Sequence, residues 1–191
     1  MKALALLPIL SLLAGCSVNE VGVNYRIYID SDFPRDQREE IISAVQAWQD
    51  KLPILNIMSI EVGECPGERR DLCVHASSEA AVQQMYSNHS QGYFASTSRH
   101  NLLDSSDTYL AEDAMGAYDT DTQVSVIAHE LGHAMGLEHI DGNGVNAMFW
   151  ESNNQHNPLP SCNDAAEWYS TRGLSSKTEA CPEGGSFVYY H

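Results

Sequence analysis

Residues 129–139 read His-Glu-Leu-Gly-His-Ala-Met-Gly-Leu-Glu-His, and this stretch restricts the fold more than any other in the chain. His129 and His133 stand four apart, so on a helix their rings share one face. The neighbouring pattern supports that helix. Val124, Ile127, Ala128, Leu131 and Met135 recur on a buried side, and Asp121 or Thr122 can cap the start. Gly136 can adopt the left-handed conformation that closes a helix. The chain then turns sharply and brings His139 back toward the first two histidines. A metal held off the side of a helix cannot easily draw a third ligand from that same helix, so this turn is needed. Neutral imidazoles are natural Zn2+ ligands, and three of them plus water leave the open position that catalysis requires. Glu130 sits beside the first ligand, placed to take a proton from water rather than to bind metal. His-Glu-x-x-His alone can be an ordinary pair on a helix surface. The glycine and third histidine make the metal reading specific.

The remaining pattern is that of one domain with both strands and helices. Asn24 to Asp30 alternates, with Tyr25, Ile27 and Ile29 on one face of a strand. Pro34 can open a helix running to about Leu52, with Ile41, Val45, Trp48 and Leu52 toward the core, and Pro53 stops it. Residues 54–62 and 72–76 are further strands, and Gly92 to Thr97 is a short one. Residues 98–121 read as a long loop rich in carboxylates (Asp104, Asp107, Glu112, Asp113, Asp119, Asp121), of a length that is often functional. Residues 140–160 look irregular. Ser161 and Asp164 resemble a capping pair that opens a last helix over about 162–172, with Ala165, Trp168 and Tyr169 inward and Gly173 ending it. No internal repeat is evident.

Ten Lys and Arg face 26 Asp and Glu, a formal net charge of −16, which excludes nucleic acid as a partner because phosphate binding needs a basic face. The chain begins Met1-Lys2, continues with an apolar run over 3–13, and reaches Ala14-Gly15-Cys16. This is the anatomy of a signal peptide, and the run is too short to cross a bilayer as a helix. Leu13-Ala14-Gly15-Cys16 resembles the bacterial lipoprotein signal box. That resemblance implies a removed segment 1–15, a diacylglycerol on Cys16 and a tether over 16–23, which leaves one domain over 24–191 with its C-terminal part from about 140. Two acyl chains suffice for stable membrane anchoring. Ser17 in place of aspartate implies the outer membrane of the cell envelope. An ordinary secretory peptide cut nearby is the alternative. The other four cysteines allow three pairings in an oxidising compartment, of which the short local loops Cys65–Cys73 and Cys162–Cys181 are favoured.

The 129–139 stretch matches the metzincin pattern His-Glu-x-x-His-x-x-Gly-x-x-His. Within that clan it looks most like the matrixins, including their bacterial members. The resemblance covers about 24–173 and is sharp over 129–148. It implies an α+β fold: a twisted, mostly parallel five-stranded sheet with long helices, a zinc cleft and a small C-terminal subdomain. It implies metal ligation by His129, His133 and His139, and catalysis by Glu130. Met148, in Asn146-Ala147-Met148, is similar to the methionine of the family's tight turn, an apolar floor under the histidines. Gly92, Tyr93, Phe94 and Ala95 resemble the upper cleft edge, where substrate lies as an added strand. Matrixins usually carry proline and tyrosine soon after the methionine. Phe149-Trp150-Glu151 stands here instead, so Phe149 and Trp150 would line a pocket of different shape. No cysteine-switch propeptide and no His-x-Asp structural-zinc pattern is expected, although the carboxylates of 98–121 could hold Ca2+.

The implied activity is hydrolysis of peptide bonds in extracytoplasmic proteins or peptides by Glu130-assisted attack of zinc-bound water, in a monomer. Two other readings stay open at this point. One is a lipid-anchored binding module with a vestigial zinc site, against which the intact Glu130 argues. The other is a hydrolase of a non-protein amide such as peptidoglycan, which a narrow cleft without an edge strand would favour.

Overall fold

The computed structural model describes residues 23–52, 55–85, 95–139, 146–148 and 159–173. The alternation of Tyr25, Ile27 and Ile29 becomes β1 (Val23–Ile29), with all three side chains buried. Pro34 then opens α1 (Arg35–Lys51), as its fixed φ and missing N–H suit the first turn. Its inward stripe is Ile41, Ala44, Val45 and Trp48, and Leu52 closes it. β2 (Leu55–Val62) returns parallel to β1, completing a β-α-β unit. β3 (Asp71–Ser77) pairs parallel with the other edge of β1. The chain continues through α2 (Glu79–Met85), β4 (Ala95–His100), β5 (Ser105–Ala111), α3 (Glu112–Met115), α4 (Thr120–Ala134) and α5 (Cys162–Thr171).

Among the described residues the five strands order as β2-β1-β3-β5-β4, parallel throughout except for β4, which runs antiparallel to β5. Tyr25, Ile27, Ile29, Leu72, Val74 and Leu110 meet α1 and α4 in one core with Trp48, Ile127 and Leu131. The indole of Trp48 donates to the Ala128 carbonyl at 2.8 Å, which pins α1 to α4. This is the mostly parallel sheet with long helices expected of an α+β chain. Cys65 and Cys73 are joined by a disulfide that ties the segment before β3 to the sheet. Cys16 and Cys181, named for lipidation and for a bond to Cys162, lie outside the described residues.

Three sequence readings are corrected. Residues 98–121 are not a long loop: β4 ends and all of β5 lies there, followed by α3 and the start of α4. The reason is chemical. The inward face of this hairpin carries small polar groups, with Ser106 and Thr108 buried, so the apolar alternation that marks a half-buried strand is missing. Asp104, at φ +51°, makes the left-handed bend before β5. Secondly, α4 begins earlier than expected. Asp119 is its N-cap and accepts from the Thr122 amide at 2.8 Å, so Asp121 and Thr122 lie within the first turn. Thirdly, β4 runs further than expected. Gly92, Tyr93 and Phe94 lie outside the described residues, and the strand extends beyond Thr97 to His100. α2 has no counterpart among the elements read from the sequence, because it buries Val82 and little else to give it a periodic signature.

Candidate metal centre

α4 carries His129 and His133 on one face, and the chain reverses directly after it. Gly136 has φ +92°, a conformation that L side chains rarely adopt. A Cβ there would also lie 2.5 Å from the Arg99 guanidinium. This turn brings His139 back. The three Nε2 atoms lie 3.1 Å (His129–His133), 3.1 Å (His133–His139) and 3.3 Å (His129–His139) apart.

The other ring nitrogens show what these contacts are. Nδ1 of His129 faces the Ala147 carbonyl at 2.6 Å, and Nδ1 of His133 faces the Leu137 carbonyl at 2.8 Å. A carbonyl can only accept, so Nδ1 carries the proton in both rings and Nε2 presents a lone pair. Lone pairs converging at this distance repel one another unless a cation lies between them. Tetrahedral zinc with bonds of about 2.0–2.1 Å to nitrogen spaces its ligands by about 3.3 Å. The site therefore fits zinc, which His129, His133 and His139 would hold. Burial, then the neighbouring His133, pushes His129 down to about 4, and the same two causes lower His139. Both imidazoles are thus neutral near pH 7, as ligation requires.

Met148 is fully buried beneath this face. Its sulfur lies 2.2 Å from where a Cβ on Gly132 would sit, so the methionine occupies the space between the two histidine turns of α4. Asp164 holds that turn in place. One of its oxygens accepts from the amides of Ala147 (2.9 Å) and Ser161 (2.8 Å), and the other from the amide of Met148 (3.0 Å). Ser161 and Asp164 also close the capping box of α5, so a single carboxylate serves the helix and the turn together.

Glu130 is buried beside the first ligand. Burial raises its pKa, opposed by a hydrogen bond from Thr97. The Thr97 hydroxyl stands 2.6 Å from Oε2 of Glu130. Below the ligand turn, Asp104 accepts from Arg99 at 2.7 Å and pairs with Arg70 and Arg172. Arg172 also donates to the Met135 carbonyl at 2.8 Å and to the Tyr25 hydroxyl. Burial works to raise the Asp104 pKa, but hydrogen bonds and charge from Arg99 and Arg172 leave it below the ordinary aspartate value.

The structure thus brings together His129, Glu130, His133, His139 and Met148. Ala95 opens β4, the strand at the sheet edge nearest α4. Phe149 and Trp150 lie outside the described residues. Thr97, Thr108, Arg99, Asp104 and Arg172 were not read from the sequence as parts of the site. Of the carboxylates in 98–121, Asp104 pairs with arginines, Asp107 with His75 (2.8 Å) and His100 (2.7 Å), and Asp119 caps α4. A second group of metal-ligating residue types, Cys73, His75 and Asp107, has its sulfur committed to Cys65.

A matrixin family model, of the M10 peptidases, matches residues 19–166. The chain belongs to the matrixin family. A search of curated proteins finds no match. Family and ligand geometry together define a metallopeptidase-type enzyme with a potential zinc site.

Proposed function

We propose that this protein is a zinc-dependent metalloendopeptidase that cleaves extracytoplasmic proteins or peptides. The observation that carries this reading is the convergence of three histidine Nε2 atoms beside a buried carboxylate. Bound there, zinc supplies Lewis acidity toward water and toward a peptide carbonyl. Glu130 takes the proton of the attacking water and passes it to the departing amine nitrogen. A carboxylate is needed for this because the leaving group must depart as a neutral amine. The edge position of β4 suits a substrate bound as an added strand through backbone hydrogen bonds.

The experiment is zinc content together with cleavage of a mixed peptide library. Glu130→Gln should retain zinc and lose about 10²- to 10⁴-fold in turnover, the usual range for a general base. His139→Ala should lose both. Full turnover in Glu130→Gln, or a purified protein that cleaves peptides equally well after EDTA, sinks the proposal. The reading extends to location: the signal box at 13–16 supports a lipid on Cys16 and attachment to a bacterial envelope membrane. Metabolic labelling with a fatty acid should mark the wild type and not Cys16→Ser. Label on both would remove the anchor.

A further inference from the structure

β4 lies against α4, and its inner face presents Ala95, Thr97 and Arg99. Two of these have partners in the ligand turn or the ligand helix. Arg99 lies over Gly136. Thr97 reaches Glu130. Its hydroxyl oxygen is 2.6 Å from Glu130 Oε2, 3.2 Å from the Glu130 backbone carbonyl and 3.1 Å from the hydroxyl of Thr108. Thr108 is the cross-strand partner of Thr97 and is 1% exposed.

A threonine hydroxyl has one proton to give. Of the three acceptors around Thr97, the carboxylate is the strongest, and its distance is that of a charge-assisted O–H···O⁻ bond. The proton of Thr97 therefore goes to Oε2. The contact with Thr108 must then run the other way, Thr108 donating to Thr97. The result is a two-hydroxyl chain, Thr108 to Thr97 to Glu130. Each donation polarises the next hydroxyl. The chain runs from β5 through β4 into the metal helix, from a part of the fold that holds no ligand.

We propose that Thr97, supported by Thr108, is a positioning residue for Glu130: it holds Oε2 and so fixes which carboxylate oxygen, Oε1, is presented for proton transfer. Glutamate has three side-chain torsions, and burial alone does not choose among rotations of its last one. A hydrogen bond at Oε2 does. Valine at position 97 keeps the shape and removes the proton. Serine keeps the proton and loses a methyl group. These two changes separate hydrogen bonding from packing.

The inference rests on Glu130 being the proton carrier, and the test is built to fail separately from that reading. Two readouts are used on the zinc-loaded protein, with metal content measured alongside. One is the kcat and KM of peptide cleavage. The other is the affinity for acetohydroxamate, a zinc chelator whose hydroxyl proton needs a nearby carboxylate. Thr97→Val should lower kcat by about ten-fold, the scale of one hydrogen bond to a charged group, with KM within about two-fold. It should weaken acetohydroxamate by a similar factor without loss of zinc. Thr97→Ser should restore both toward wild type, and Thr108→Val should cost about two- to three-fold, since it removes only the upstream donor. If the wild type binds acetohydroxamate in a Glu130-dependent way but cleaves no peptide, the peptidase reading fails, and the affinity of Thr97→Val still decides the role of Thr97. Wild-type values of both readouts in Thr97→Val overturn the inference, as does failure of Thr97→Ser to recover them.

Discussion

Asp164→Asn changes one atom type at the point where the metal turn and α5 share a carboxylate. The carboxylate is fully buried and only accepts hydrogen bonds. Oδ2 faces the amides of Ala147 and Ser161, and Oδ1 faces the amide of Met148. An asparagine places its single oxygen best at Oδ2, where two amides and the Ser161 hydroxyl converge. Its NH2 then meets the Met148 N–H, donor against donor. The Met148 N–H loses its acceptor and the new NH2 finds none, so two buried donors go unsatisfied at ~1–3 kcal/mol each, and the expected destabilisation is about 4 kcal/mol. In a domain of this size ~1 kcal/mol moves the midpoint by roughly 2–4 °C, so calorimetry should show Tm lower by roughly 8–16 °C. The metal should register the same change, because Ala147 also supplies the carbonyl that orients His129. Loss of such support typically costs ~10- to 100-fold in metal affinity, measurable by chelator competition. A Tm within about 3 °C of wild type together with unchanged zinc affinity would refute the shared-carboxylate argument, since two orphaned buried donors cannot cost so little.

Other predictions follow from the same geometry. Gly132→Ala places a methyl group 2.2 Å from the Met148 sulfur and 3.0 Å from the Trp48 ring, so urea melts should show about 1–3 kcal/mol of lost stability. The double variant with Met148→Ala should lose less than the sum of the two single changes, because the collision has been removed. Asp104 has a folded-state pKa held below its ordinary 3.8, so its contribution is fully present above that value and is lost as pH falls through the lower folded value. Urea melts between pH 6 and pH 3 should therefore show a shallower acid-side decline for Asp104→Asn than for wild type, and equal slopes would contradict the clamp. Trp48→Phe removes the donor to the Ala128 carbonyl and should cost about 1–3 kcal/mol, read from the same melts.

The ligand set was legible because it is written in local geometry: a four-residue spacing on a helix, then a glycine, then a returning histidine. The same holds for β1, α1 and α5, whose apolar periods survive in the chain. The hairpin β4–β5 was not legible because its buried face is made of serine and threonine, which look like loop residues until the sheet surrounds them. The start of α4 was misplaced because several residues near 120 can cap, and only the reach of the Asp119 side chain to Thr122 decides among them. Thr97 and Arg172 escaped for a different reason. Thr97 meets Glu130 across 33 residues, and Arg172 meets the Met135 carbonyl across 37. No periodicity links such pairs.

The position of Asp164 in the chain has a consequence for the order of assembly. All three histidines have been synthesised by residue 139, yet the carboxylate that sets the Met148 turn comes later, in α5. The Met148–Asp164 contact spans 16 residues and cannot form until α5 has been made. A growing or truncated chain that stops before residue 164 therefore carries a complete ligand sequence with an unsupported His129. Such a chain should hold zinc loosely, so that the metal centre is completed only once the body of the fold has closed behind it.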